Sequence, residues 1–160
     1  MDLPKRKRNR LEGFDYSLSG CYYITVCTTN RLHIFWEFVG ADMIRPDQPP
    51  LSDIGKIVQQ GILQIPSHYE GVFLDKYCIM PDHIHLIVRI DKDDECGQMG
   101  AAPTISTVIG SLKRWISRQV GPIWQKSFYD HCIRNEKDYN EIWEYIDQNP
   151  LKYKLGYRRN

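Results

Sequence analysis

Residues 72 to 90 read VFLDKYCIMPDHIHLIVRI. The runs 72–79 and 83–90 are rich in β-branched and aromatic residues and flank the turn-forming Met80-Pro81-Asp82, which predicts an antiparallel pair of strands. Side chains alternate along a strand, so Ile84, Leu86, Val88 and Ile90 share one face, and His83, His85, Ile87 and Arg89 the other. The second run is therefore wholly apolar on one side and carries two imidazoles on the other.

Upstream, residues 21–28 (CYYITVCT) have the composition of a first strand, and Arg45 to Pro50 form a breaker before the next element. From Leu51 to Ile65, apolar residues at 51, 54, 57, 58, 62 and 65 follow helical spacing, weakened by Gly55 and Gly61. Downstream, residues 91–103 read as a loop. Ile105, Val108, Ile109, Leu112, Trp115 and Ile116 then make the stripe of a second helix, with Lys113, Arg114, Ser117 and Arg118 on its remaining surface. Residues 127–134 predict a fourth strand. Glu136 to Gln148 predicts a last helix with its stripe at Tyr139, Ile142, Trp143 and Ile146, ended by Pro150. This order predicts an α+β fold, a ferredoxin-like βαββαβ sandwich with an additional C-terminal helix, two helices covering one sheet face and the other face left available.

A chain of 160 residues, 42% of them hydrophobic, can bury one core, so a single domain over 1–160 is expected, with basic tails at about 1–12 and 151–160. No apolar run approaches the ~20 residues of a membrane span, and the basic N-terminus lacks the apolar stretch of a secretory signal; a soluble, cytoplasmic protein is expected. Cys21, Cys27, Cys78, Cys96 and Cys132 are odd in number and never in a C-x-x-C pair, which argues for free thiols and against a disulfide scaffold or thiolate zinc site. The net charge of +1 conceals segregation: Lys5, Arg6, Lys7, Arg8 and Arg10 open the chain, the last ten residues hold no acid, and none lies between Pro103 and Phe128. Such division suits a polyanion bound over part of the surface, although basic tails are also simply solvated.

His83 and His85 project the same way from one strand, close enough to hold one metal ion. On the last helix, about 100° per residue puts Tyr145 and Asn149 one turn apart on one shoulder of the apolar stripe. Asn149 is there a candidate to complete a metal site, and Tyr145 to reach whatever the metal binds. Singly, each has a plain structural reading: polar residues on an exposed sheet face, one packed tyrosine among ten, an asparagine at a helix end.

The stretch Tyr77–Ile90 (YCIMPDHIHLIVRI) resembles the His-hydrophobic-His motif of the single-tyrosine, HUH-type transposases. Trp124-Gln125, Phe128–Asn135 (FYDHCIRN), Asp138-Tyr139 and Tyr145–Pro150 (YIDQNP) together resemble the REP-associated tyrosine transposases, so that the resemblance spans roughly residues 20–155. It implies that His83 and His85 hold a divalent cation, magnesium or manganese, with Asn149 suiting the third position. Ligand type alone would suit zinc or nickel equally. It further implies that Tyr145 attacks a DNA phosphodiester, with Tyr139 as rival, and that the substrate is single-stranded DNA with palindromic hairpins. Lys5, Arg6, Lys7, Arg8, Arg10, Lys113, Arg114, Arg118, Arg134 and Lys152 are the candidate DNA contacts. A homodimer and a monomer both stay open.

Two other classes compete. The ferredoxin-like arrangement is also that of RNA-recognition modules, but residues 83–90 offer histidines where stacking rings would be wanted. A metal-dependent hydrolase, with water as nucleophile, would want a carboxylate cluster near the histidines, and only Asp82 is adjacent.

Overall fold

The computed structural model describes residues 19–37, 49–91 and 103–156. Lys5, Arg6, Lys7, Arg8, Arg10 and Cys96 lie outside the described residues, as does most of the expected loop 91–103. The architecture is mixed α+β, with a four-stranded sheet of β1 (Gly20–Cys27), β2 (Val72–Ile79), β3 (His83–Ile90) and β4 (Tyr129–Ile133). The helices are α1 (Asp53–Leu63), α2 (Ile65–His68), α3 (Ile105–Val120) and α4 (Glu136–Lys154). Strand order is β2-β3-β1-β4, and every neighbouring pair is antiparallel. No helix among the described residues is long and apolar enough to cross a membrane.

The alternation read from residues 83–90 decides how the layers assemble. Ile84, Leu86, Val88 and Ile90 join Tyr22, Ile24 and Val26 of β1 in a core closed by Val58 and Ile62 of α1 and by Ile105, Val108, Ile109, Leu112 and Ile116 of α3. Each helix begins at a side-chain cap, Ser52 to the Gly55 amide and Thr104 to the Thr107 amide, satisfying donors that the first turn leaves open. The helix expected over 51–65 starts two residues later and breaks at Gln64. The Pro66 ring, which cannot donate to a continuing ladder, sits in the first turn of the short α2.

The second sheet face is not left open, as the sequence pattern led us to expect. Helix α4 lies over it, with Ile146 buried against Cys78, Met80 and Ile87, and Tyr139, Ile142, Tyr145 and Tyr153 packed around them. Nor does α4 stop at Pro150. It continues to Lys154 with the proline buried inside. An interior proline forfeits one ladder hydrogen bond. The following turn recovers contact by setting Tyr153 against Trp36, ring centroids 5.3 Å apart, and against His33 at 6.4 Å. Trp143, expected in the buried stripe, is instead partly exposed, with the Lys76 ammonium 4.3 Å from its ring centroid.

The segment after β1 clasps the β2–β3 turn. The Thr28 amide donates to the Asp82 carbonyl at 2.9 Å, and the Ile34 and Phe35 amides both donate to the Pro81 carbonyl, at 2.9 and 3.0 Å. Gly55 of α1 passes so close that a Cβ there would lie 2.1 Å from the Phe35 carbonyl oxygen. Gly55→Ala is therefore expected to lower unfolding free energy by roughly 2–3 kcal/mol, the scale of an overpacked core, as read from denaturant melts.

Candidate active site

Three elements meet on the α4 side of the sheet. From β3 come His83 and His85; the antiparallel register sets Thr25 of β1 opposite His85 and Cys27 opposite His83. From α4 come Tyr145, Asn149 and Lys152. All but Cys27 line one cavity of about 910 Å³, together with Tyr23, Arg31, Asp82 and Tyr129.

His85 is 3% exposed, and its Nδ1 lies 2.9 Å from both the Tyr23 and the Thr25 hydroxyl oxygens. Burial, then the charges of His83 and Arg31, push its pKa well below the ordinary 6.5, so this imidazole is neutral at neutral pH and its lone pair is available. His83 Nδ1 lies 2.5 Å from Asp82 Oδ1, and Arg31 Nε 3.0 Å from Asp82 Oδ2. Burial alone would raise the Asp82 pKa. The hydrogen bond and charge of His83, with Arg31, more than reverse it and hold the carboxyl below its usual range.

With both Nδ1 atoms engaged, the two Nε2 atoms face one another across 3.1 Å. Two nitrogens about 2.1 Å from a shared ion, at right angles about it, sit roughly 3.0 Å apart. The imidazole pair therefore fits a common cation, with outer partners on each ring of the kind that orient metal-ligating histidines. Among the described residues, no three His, Cys, Asp or Glu side chains are arranged to hold a metal. Asn149 lines the same cavity, and its amide nitrogen is buried with no hydrogen-bond partner.

Tyr145 stands over the pair, its ring centroid 5.6 Å from that of His85 and 6.4 Å from that of Tyr23. The Lys152 ammonium lies 5.9 Å from the same ring. Tyr139 is differently placed. Its hydroxyl donates to Asp75 Oδ2 at 3.2 Å, and burial, followed by the Asp75 charge, pushes its pKa up to about 12.

No family model matches the chain. An uncharacterized protein of Haemophilus influenzae is 29% identical to it over 168 residues, covering 93% of this chain and 90% of that one. A second Haemophilus influenzae protein, assigned by name to the REP-associated tyrosine transposases, is 26% identical over 157 residues, covering 87% of this chain and 74% of that one. The REP-associated tyrosine transposase of Escherichia coli is 29% identical over 82 residues, half of this chain and 45% of that one. The chain is a relative of the REP-associated tyrosine transposases. A solved structure of a REP-associated tyrosine transposase bound to a REP hairpin shares its fold, with a TM-score of 0.64 over 90% of this chain and 74% of that one, at 21% identity.

Within this transposase-like fold, the described candidate DNA contacts do not converge. Lys152 lines the histidine cavity. Arg134 is exposed ahead of α4. Lys113, Arg114 and Arg118 sit on α3, across the sheet, where the Lys113 ammonium donates to the carbonyls of Gln125 and Lys126. Sequence reasoning misses Tyr23, Thr25 and Arg31 altogether. Tyr23 and Thr25 are within reach of the alternation in β1, but nothing in the sequence states which β1 residue faces His85. Arg31 has no signal at all, because its approach depends on backbone torsions after the strand.

Burial at the site has consequences that can be measured. A buried neutral His85 takes up fewer protons than the unfolded chain below about pH 6.5, so stability falls as pH drops through that value. In His85→Gln, denaturant midpoints should decline less steeply between pH 7 and 5. For the orphaned amide, Asn149→Leu should leave metal-free stability within about 1 kcal/mol of the parent, since removing an unsatisfied polar group costs little. The same variant should weaken manganese binding measured by titration calorimetry.

Proposed function

We propose that the chain is a transposase-type single-strand endonuclease and strand transferase acting on hairpin-containing single-stranded DNA, with Tyr145 as nucleophile. The observation that carries this reading is the gathering of Tyr145, Asn149, His83 and His85 around one cavity, from segments some 60 residues apart in sequence. The named relatives, and a fold shared with a protein bound to a REP hairpin, support the substrate class. The strand order β2-β3-β1-β4 with all neighbours antiparallel supports a ferredoxin-like frame carrying an additional C-terminal helix.

A divalent cation held by His83, His85 and Asn149, magnesium or manganese, would polarise the scissile phosphate and offset charge developing on it. Lys152 adds positive charge on the Tyr145 side of the cavity. Tyr145 attacks phosphorus, the bond to the 3′ oxygen breaks, the phenolic proton ends on that departing oxygen, and the 5′ phosphate is kept as a tyrosine ester. Attack of another 3′ hydroxyl on that ester rejoins strands and returns the phenol. Tyr139 suits the role poorly, because a phenol raised to about 12 and bonded to a carboxylate is harder to deprotonate. Asp82 suits activation of water poorly, since His83 and Arg31 occupy its oxygens and hold it a weak base. All groups invoked belong to one chain, so a homodimer is not required. Bacterial relatives that are named transposases fit work in the cytoplasm.

The test uses labelled hairpin DNA with single-stranded flanks and manganese, followed by denaturing electrophoresis. A protein-DNA adduct is expected that chelator abolishes, that Tyr139→Phe retains, and that Tyr145→Phe reduces by at least about 10³-fold, the scale on which nucleophile removal acts. Cleavage without adduct would point to attack by water, and binding without cleavage to a passive module.

A further inference from the structure

Between β1 and the cavity, the chain makes a turn that its sequence does not favour. Asn30 and Arg31 are consecutive non-glycine residues in the left-handed region, at φ 54° and 57°. L residues avoid that conformation because Cβ crowds the backbone, and pairs of them are rarer still. The turn is pinned at its base by the Thr28 amide on the Asp82 carbonyl at 2.9 Å and the Thr29 amide on the Ile123 carbonyl at 2.8 Å. What the conformation achieves is delivery of the Arg31 guanidinium to Asp82.

We propose that Arg31 is a positioning residue that locks His83, through Asp82, with its Nε2 lone pair turned toward His85. The inference rests on the reading of His83 and His85 as a metal pair. Asp82 is divided between two partners: Oδ2 receives Arg31 Nε at 3.0 Å, and Oδ1 faces His83 Nδ1 at 2.5 Å. A carboxylate only accepts, so Nδ1 must carry the hydrogen. In the neutral ring the lone pair is then on Nε2, the atom 3.1 Å from His85 Nε2. A neutral imidazole released from such a partner favours hydrogen on Nε2, the form that blocks a cation. Arg31 holds the carboxylate from rotating away, and a second guanidinium nitrogen, 2.7 Å from Cys27 Sγ, fixes the guanidinium in turn. Strain kept at a site by surrounding contacts is commonly functional. The rival role is direct: Arg31 lines the cavity with a half-exposed side chain, and would there meet the DNA phosphate itself.

The experiment records long-range ¹⁵N–¹H spectra of the histidine side chains in the metal-free full chain, then titrates manganese, and separately measures hairpin binding with chelator present. In the parent, His83 should show hydrogen on Nδ1. In Arg31→Ala it should move toward hydrogen on Nε2, with manganese bound about tenfold or more weakly, the usual effect of removing a ligand's outer partner. Asp82→Asn should give the same signature, and the double variant should be no worse than Asp82→Asn alone. Arg31→Lys, which keeps the charge but not the planar fork, should fall between and serves if Arg31→Ala does not fold. Asn30→Gly, which relieves the turn without touching a contacting group, should change neither readout. An unaltered His83 tautomer in a folded Arg31 variant overturns the proposal, as does unchanged manganese affinity with hairpin binding lost. The tautomer arm needs neither metal nor DNA, so it decides the inference even if no adduct forms.

Discussion

The candidate site depends on one register, that of β1 against β3. Thr25 opposite His85 brings two hydroxyl oxygens to the same imidazole nitrogen and turns the other nitrogen toward His83. Alternation makes this all or nothing. A slip by one residue would send Tyr23 and Thr25 into the α1–α3 core and bring Tyr22 and Ile24 out onto the histidine face. That slip is prohibited by burial: Tyr22, Ile24, Val26, Ile84, Leu86 and Val88 are all fully enclosed on the opposite face. The apolar side of the sheet thus fixes the chemistry of the polar side.

The polar side is built against its own electrostatic preference. Two imidazoles in close contact, one almost wholly buried, would gain nothing by sharing protons with solvent, and burial keeps His85 neutral. Asp82 supplies the neighbouring negative charge but is itself held by Arg31, so it orients a ring without becoming a base. A cavity lined by neutral imidazoles and hydroxyls, one carboxylate committed to Arg31 and His83, and the cationic Arg31 and Lys152 has room and charge for a phosphate group.

Much of this architecture is legible in the residue pattern. The strand pair 72–79 and 83–90 follows from composition and the Met80-Pro81-Asp82 turn, and its boundaries coincide with β2 and β3. The stripe on α3 is equally plain, since Ile105, Val108, Ile109, Leu112 and Ile116 are buried. The last helix is harder. Its spacing marks Tyr139, Ile142, Trp143 and Ile146, yet only Ile146 of these is fully buried, because α4 crosses a face already occupied by polar groups. Pro150 reads as a terminator, whereas the packing of Tyr153 beyond it carries the helix on. The partners of the histidines escape because they depend on strand register and on two left-handed torsions, neither of which residue patterns encode.

The docking of α4 over the sheet has an implication for when the proposed site is whole. On the proposed chemistry, the attacking phenol and the imidazoles that would seat its target lie on separate elements, which meet across a seam that includes Ile146, Tyr153 and the Tyr139–Asp75 hydrogen bond. A chain still emerging from synthesis, or one whose final helix has lifted away, possesses each half of the reagent but not the whole. On that reading the fold acts as an interlock: the phenol and the imidazoles line one cavity only while α4 is docked on the sheet.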